Sequence, residues 1–274
     1  AVENLFWMGR YGARVENIGR LLRATAQRLT ESDPSHLAIV KILTALADKA
    51  RLREVASAPT SGQAAKRKPP AGATPEWVIA AAGDPSLRNG IPANTGRLFY
   101  CATQLRDRMS VDHWRTVQRL ARMHEPVPQN LEAALTILDS VIPACTALAG
   151  YAFDDMTRDD AWQFLVIGRQ LERMAFLSSV TIQILGLAEE DREAVLGALL
   201  EIGNISMTYR ARYQRQPELL PVLDLLLLDE LNPHSICFQL AALSGQLDLI
   251  KTRLGFEPLF GLLTAMTVDR PAAG

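Results

Sequence analysis

The sequence is poor in several features, and each shortage excludes a class of protein. Its 274 residues include three cysteines, which are far apart and form no Cys-x-x-Cys pair. Neither a disulfide framework nor a zinc ribbon is therefore encoded, and a reducing, cytoplasmic location is expected. The formal net charge is −1. No overall basic field draws the chain to nucleic acid or to an anionic membrane, so neither is an expected partner.

The chain also lacks the usual motifs of nucleotide, metal and nucleophile sites. It has no Gly-x-x-x-x-Gly-Lys-Ser/Thr loop, no Gly-x-Gly-x-x-Gly turn and no Gly-x-Ser-x-Gly elbow. None of its four histidines follows a glutamate by three residues, as di-iron bundles require. We therefore expect no metal and no cofactor on this chain.

The most apolar long run, Leu131 to Phe153, is interrupted by Glu132, Asp139 and Pro143. Charges of this kind are costly at membrane depth, so the run is interpreted as a buried helix and not as a membrane span.

Apolar residues recur every three to four positions along most of the chain, and no alternating hairpin pattern is visible. The sequence predicts an all-α protein, a single pseudo-symmetric bundle of about seven or eight helices within one domain, 1–274. One segment, Asp191 to Gln214, is expected to be a single long helix. Residues 58–74 are rich in Pro, Gly and basic side chains and are expected to form a mobile loop.

An internal repeat carries most of the information. Leu5 to Leu22 (LFWMGRYGARVENIGRLL) aligns without gaps with Phe164 to Thr181 (FLVIGRQLERMAFLSSVT) at an offset of 159 residues. Both copies contain Gly-Arg followed by another Arg four residues after the first, and both carry a helical apolar stripe. The sequence thus predicts two long helices related by the repeat.

Arginines dominate the polar face of both copies. Five of the 29 basic residues are lysines, so 24 are arginines, the side chain that makes forked contacts with carboxylates and phosphates. In each copy two of them lie four residues apart and share a face. If the two helices meet, Arg14 and Arg173 should be bridged by Glu16, Glu172 or a bound anion. The predicted ligand-binding or partner-binding face consists of Trp7, Arg10, Arg14, Glu16, Arg169, Glu172 and Arg173.

This face has two interpretations, a structural ion network and a cleft that binds a carboxylate or phosphate group. A second cluster, Arg210, Arg212 and Arg215 with Tyr209 and Tyr213 between them, has the mixture of Arg and aromatic side chains that is found at phosphate or carboxylate sites, and its residues Tyr209, Arg210 and Tyr213 are also candidates. A solvated helix end would explain the same cluster.

The chain resembles a known family in an ordered series of motifs. AVENLFWMGRYGARVE at the start and GRQLER at 168–173 resemble the alpha-E domain family of bacterial proteins. The resemblance continues through Arg106, Asp107, Arg108, Trp114, Trp162, Phe164, Tyr209, Arg210, Tyr213, Leu227, Leu228, Asp229, Pro233 and Ser235. It spans residues 1 to about 247.

The resemblance implies a function. Members of this family are all-helical and are fused to, or encoded beside, a circularly permuted ATP-grasp protein. We therefore expect an accessory or substrate-presenting domain of a peptide or amide ligation system, with ATP bound only by that partner, in cis or in trans, and an acidic peptide or carrier as a further partner. Because the chain begins within a helical pattern, it is also interpreted as part of a longer ATP-grasp fusion.

Two departures from the family pattern affect the expected site. Ala13 replaces a glutamate in the first copy and Ala175 an acidic residue in the second, so half of the symmetric carboxylates are missing. His234 stands where an Arg is usual, which puts an anion contact there in doubt.

Two other functions stay open. The first is an enzyme, a transferase or hydrolase in which Glu16 or Glu172 is the general base beside the paired arginines. The second is a helical scaffold, in which the small residues Gly12, Gly19 and Ala26 only let helices approach closely.

Overall fold

The computed structural model describes residues 1–31, 36–53 and 75–254. Within these ranges it contains eleven α-helices and no β-strand. The helices are α1 (Val2–Thr30), α2 (His36–Lys49), α3 (Glu76–Gly83), α4 (Ile91–Thr103), α5 (Val111–Arg122), α6 (Leu131–Asp154), α7 (Asp160–Leu185), α8 (Glu189–Ile202), α9 (Ser206–Tyr213), α10 (Leu219–Leu223) and α11 (Ile236–Leu254). A 3-10 turn spans Arg106–Arg108 and a π-helical turn spans Asp224–Leu228.

The all-α class is confirmed, and the buried residues of the described helices form one continuous core. The number of helices exceeds seven or eight partly because α3, α9 and α10 have eight residues or fewer. The mobile loop expected at 58–74 lies outside the described residues.

The prediction of one long helix over Asp191 to Gln214 is wrong. Helix α8 ends at Ile202 and α9 begins at Ser206. Between them Asn204 has a φ of 57°, in the left-handed region that terminates helices. A Cβ on Gly203 would lie 2.7 Å from a methyl group of Leu226, so the chain turns where the π-helical segment packs against it.

Helix α1 is the centre of the fold. It packs against α2, α3, α4, α6, α7 and α8, and its side chains from Leu5 to Ala26 are almost all buried. Helix α6 is long and apolar enough to span a membrane by length and composition, and 44% of its most apolar window is buried in the protein. Helix α6 packs against α1, α3 and α5.

Helices α1 and α7, which carry the two repeat copies, cross at a pair of glycines. An added Cβ on Gly9 would lie 2.1 Å from the carbonyl oxygen of Leu165, and one on Gly168 would lie 2.1 Å from that of Phe6. Residues C-terminal to Gly9 meet residues C-terminal to Gly168, so both helices leave the crossing in the same direction. The polar face predicted from the repeat lies just beyond this crossing.

The scaffold interpretation names Gly12, Gly19 and Ala26 as residues that let helices approach closely, and Gly12 is not at such a contact. Nothing lies within 4 Å of a Cβ built on Gly12, so that part of the prediction is wrong. A Cβ on Gly19 would contact the side chain of Ile142 at 3.1 Å, so Gly19 does lie at a tight contact with α6.

Polar side chains fix several helix ends. Asn130 and Asp159 accept hydrogen bonds from the backbone N–H groups of Ala133 and Trp162, at 2.8 and 2.9 Å, and so cap α6 and α7. Arg108 binds Asp159 at 2.7 Å. This hydrogen bond lowers the pKa of Asp159 and holds the start of α7.

Candidate functional site

The arginine pair of α1 is bound by a carboxylate from α7. Arg14 makes a forked contact with Glu172: its Nε lies 2.6 Å from Oε1 and its Nη2 3.0 Å from Oε2. Arg10 donates from Nε to Oε2 of the same carboxylate at 2.8 Å. All three side chains are largely buried. Glu172 therefore ties both arginines of the first copy to the second.

The arginine pair of α7 is bound in the converse way by a carboxylate from α1. Glu16 is 3% exposed and accepts from Arg169 at 3.2 Å, and its other oxygen lies 3.6 Å from Arg173. Arg20, one turn along α1, donates to it at 3.1 Å. Burial alone would raise the pKa of Glu16, but these three guanidinium groups outweigh burial and hold that pKa at about 2.

These two groups of ion pairs, one around Glu172 and one around Glu16, explain why half of the symmetric carboxylates of the repeat can be missing. Glu172 aligns with Ala13 and Glu16 with Ala175 across the repeat. One carboxylate from each copy thus serves the arginine pair of the other copy. Arg14 and Arg173 each lie beside one of the two predicted carboxylates, Arg14 beside Glu172 at 2.6 Å and Arg173 beside Glu16 at 3.6 Å, but neither carboxylate bridges both arginines.

Trp7 lies beneath this layer of charge. It is buried and stacks on Tyr11 with ring centroids 5.4 Å apart. The Arg10 guanidinium lies over the Trp7 ring at 5.3 Å, and that of Arg14 over Tyr11 at 5.6 Å. The aromatic pair thus supports the two arginines from below, which restricts their rotamers.

Beyond the crossing, the polar residues line two separate cavities. The first is a small cavity of about 30 Å³, which has room for a water molecule. It is lined by Glu16, Arg20, Arg173 and His234. His234 lies with Nδ1 3.2 Å from Arg173 and Nε2 3.2 Å from the side-chain amide of Asn204. Burial and the Arg173 charge lower the pKa of His234 to about 4, so its ring is neutral at pH 7 and accepts from Arg173.

The second is a larger cleft of about 380 Å³, which we call the basic cleft. Arg10, Arg14 and Glu172 form one wall. Lys49 and Arg51, at the end of α2 and in the turn after it, also line the cleft. Four cationic side chains thus line the cleft with one carboxylate, an excess of three positive charges.

Two asparagines complete the basic cleft. Asn17 is 9% exposed and lines both the cleft and the small cavity, and its Nδ2 has no hydrogen-bond partner among the described residues. Asn89 donates to the backbone carbonyl of Arg51 at 3.3 Å. It thereby joins the turn after α2 to the loop before α4.

The second predicted cluster has another place in the fold. The Tyr209 hydroxyl donates to the carbonyl of Gln216 and accepts from the N–H of Glu218, both at 3.0 Å. The Tyr213 hydroxyl donates to Asp224 at 3.3 Å, and Arg210 is exposed. The tyrosines fix α9 to the segment around α10, and none of the three lines the basic cleft.

Sequence reasoning missed six residues of the site: Asn17, Arg20, Lys49, Arg51, Asn89 and His234 as a polar contact. Arg20 was accessible to it, because Arg20 lies four residues after Glu16 on one helix face. Lys49 and Arg51 were not, because only the tertiary packing of α2 brings them near α1. In the described residues no group of three or more His, Cys, Asp or Glu side chains is arranged to hold a metal ion.

Comparison with known proteins agrees with the all-helical fold. An uncharacterized protein of Mycobacterium bovis and one of Mycobacterium tuberculosis are each 28% identical to this chain over 259 residues, which cover 90% of the chain and 29% of the relative. The chain thus spans less than a third of the length of the curated relatives it matches. No solved structure matches it. The Alpha-E family model, described as a predicted alpha-helical domain with a conserved ER motif, matches residues 1–260. Glu172 and Arg173 form the one Glu-Arg dipeptide of the sequence, and the chain belongs to the Alpha-E family.

Proposed function

We propose that this chain is a non-catalytic helical domain of a peptide or amide ligation system, and that it binds an acidic ligand or partner in the basic cleft. ATP would be bound and used by a circularly permuted ATP-grasp protein, in cis or in trans. The acidic component would be a peptide, a carrier or an activated acyl group. The cytoplasmic location expected from the scattered cysteines is part of the same proposal.

The observation that carries the proposal is the charge of the basic cleft. Arg10 and Arg14 are held in position by Glu172 and by the aromatic rings below them, so their ordering does not have to be achieved on binding. Lys49 and Arg51 add two exposed cations to the lining of the cleft. A preordered site with three excess positive charges favours an anionic occupant.

The length of the relatives supports a role beside other domains. They carry more than twice as much sequence outside the matched region as inside it. A domain of this kind that serves a ligase needs no phosphate-binding loop of its own, and the sequence contains none.

The state of the two carboxylates supports a non-catalytic role. A general base is most effective when its pKa lies near the working pH. The pKa of Glu16 is held at about 2, so Glu16 is a poor proton acceptor at pH 7. Glu172 accepts hydrogen bonds on both oxygens from Arg10 and Arg14. Both groups are better suited to fixing arginines than to moving protons.

The test is a complex with the permuted ATP-grasp protein of the same genome, measured by native mass spectrometry and by ligase turnover. We expect a complex with the wild-type domain and a changed turnover or product. Arg14→Ala should weaken the complex at least about tenfold, whereas Arg23→Ala, which removes the same charge from α1 at an exposed pair with Asp139, should not.

Circular dichroism melting would confirm that both variants are folded. The proposal fails if the wild-type domain forms no complex and leaves turnover and product unchanged. It also fails if the two variants weaken the complex equally.

A further inference from the structure

We propose that the basic cleft is a phosphate-binding site, in which Lys49 and Arg51 are the principal contacts of the phosphoryl group. The inference rests on the proposed function, because it names the ligand class of the same cleft. Neither residue belongs to the repeat that first indicated the site.

The two cations are available to a ligand. Lys49 and Arg51 have exposed side chains, and neither forms an ion pair with the described residues. Arg10 and Arg14, by contrast, are committed to Glu172 at 2.6–3.0 Å. A ligand that enters the cleft would thus meet Lys49 and Arg51 as the cations whose hydrogen-bonding capacity is least used.

The turn that carries Arg51 is fixed in place. Arg51 has a φ of 55°, the left-handed conformation in which helices commonly end. Its N–H donates to the carbonyl of Asp48 at 3.0 Å, its carbonyl accepts from Asn89, and the next residue, Leu52, is fully buried. The guanidinium therefore projects from a backbone that is already ordered, which lowers the entropic cost of binding.

A second observation concerns a buried donor beside the cleft. Asn17 is more than nine-tenths buried, lines the cleft, and has an Nδ2 without a partner among the described residues. A buried N–H without an acceptor is costly, on the order of 1–3 kcal/mol. This Nδ2 is sealed from solvent, so a ligand oxygen would reach it only if the Asn17 side chain turned toward the cleft.

The donor set favours phosphate over carboxylate. Ammonium, guanidinium and amide N–H groups are all donors, and the carboxylate Glu172 already accepts on both oxygens. An excess of three positive charges matches a phosphate dianion, with its three acceptor oxygens, better than a carboxylate with one charge and two oxygens. The volume of about 380 Å³ also accommodates an organic group beyond the phosphate.

The experiment is isothermal titration calorimetry of the full 274-residue chain in low-salt buffer. The probes are inorganic phosphate, glycerol phosphate, citrate and a glutamate-rich peptide. Lys49→Ala combined with Arg51→Ala removes the proposed contacts. Arg115→Ala combined with Arg119→Ala removes the same charge from exposed positions on α5 and is the matched control.

We expect saturable binding of a phosphate probe, weakened at least about tenfold by the first double variant and by less than about twofold by the second. Tighter binding of glycerol phosphate than of inorganic phosphate would identify an organic phosphomonoester as the source, and equal binding would identify free phosphate. The inference is overturned if neither phosphate probe binds, if citrate or the peptide binds more tightly than both, or if the control pair weakens binding as much. Phosphate binding is measured without the ligase, so a failure to form the ligase complex would not affect this result. If the ligase complex forms but no phosphate binds, only the phosphate-binding inference is overturned.

Discussion

Gly9 and Gly168 occupy equivalent positions in the two repeat copies, and each faces a backbone carbonyl of the other helix at a distance that leaves no room for a methyl group. The first prediction follows from this contact. Gly9→Ala or Gly168→Ala must push α1 and α7 apart, because a carbonyl of a helix cannot move aside as a side-chain end can. We expect each substitution to lower the free energy of unfolding by about 3 kcal/mol or more.

Gly12→Ala is the matched control on the same helix. A Cβ there meets nothing within 4 Å, and alanine is the better helix former. It should raise the stability by about 0.5–1 kcal/mol. Urea unfolding of the three variants measures both effects. A Gly9→Ala protein as stable as Gly12→Ala would contradict the crossing.

The second prediction concerns Glu16, which three guanidinium groups surround. Glu16→Gln leaves those charges without their carboxylate and should destabilise the fold by about 3–5 kcal/mol at pH 7. Asp139→Asn, which breaks the exposed pair with Arg23, should cost less than about 1 kcal/mol.

The pH dependence of the same variant has a defined sign. The pKa of Glu16 is about 2 in the folded protein and near 4.5 when it is unperturbed. The ionised Glu16 therefore contributes fully to the free energy of unfolding above pH 4.5. This contribution, about 3 kcal/mol, is lost as the pH falls toward 2. The stability difference between the wild type and Glu16→Gln should shrink over that interval. A difference that stays constant from pH 7 to pH 2 would contradict this assignment.

The third prediction concerns His113, which is fully buried against Tyr151 with neither ring nitrogen bonded to the described residues. Burial lowers the pKa of His113 from 6.5 to about 4, although the charge of Asp155 acts in the opposite direction. The unfolded chain then binds a proton below pH 6.5 that the folded chain does not bind until about pH 4. The wild type should therefore lose stability between these values, by up to about 3 kcal/mol.

His113→Phe keeps the ring stacked on Tyr151 and removes the titrating group. Its unfolding free energy should depend less on pH between 6.5 and 4 than that of the wild type. His234, whose pKa is also lowered to about 4, accounts for part of the remaining slope. The readout is this slope, so a constant cost of the larger ring does not affect it. Parallel pH profiles of the wild type and His113→Phe would contradict the prediction.

Local patterns in the sequence were enough to predict the helical class, the two long helices and the paired arginines. The 3.6-residue periodicity of an amphipathic helix and the four-residue spacing of Arg10 and Arg14 are properties of a single helix. The carboxylate partners of Arg14 and Arg173 could be predicted from electrostatics. Buried guanidinium groups need a carboxylate, and the two repeat copies contain few carboxylates.

What depended on tertiary packing could not be predicted. Internal repetition implies similar environments for α1 and α7 but does not require their contact, and it does not select Gly9 over Gly12 as the crossing point. The partner of Arg173 includes His234, 61 residues away in sequence. Lys49 and Arg51 enter the basic cleft only because α2 and its following turn lie beside α1.

The last prediction uses Glu172→Gln to separate the three functions that the sequence left open. Glu172→Gln replaces the carboxylate that Arg10 and Arg14 share with a neutral amide that has one acceptor oxygen, and raises the excess charge of the basic cleft from three to four. A phosphate-binding cleft should then bind inorganic phosphate more tightly, by about threefold to tenfold, while the melting temperature falls. Glu172→Ala, which adds a cavity to the same charge change, is the control for packing.

A catalytic Glu172 predicts instead the loss of an activity at nearly unchanged stability. A purely structural network predicts lower stability, with no phosphate binding to the wild type or to the variant. Calorimetric titration and thermal melting of the wild type and both variants distinguish these outcomes, because only an anion-binding cleft couples a loss of stability to a gain in affinity.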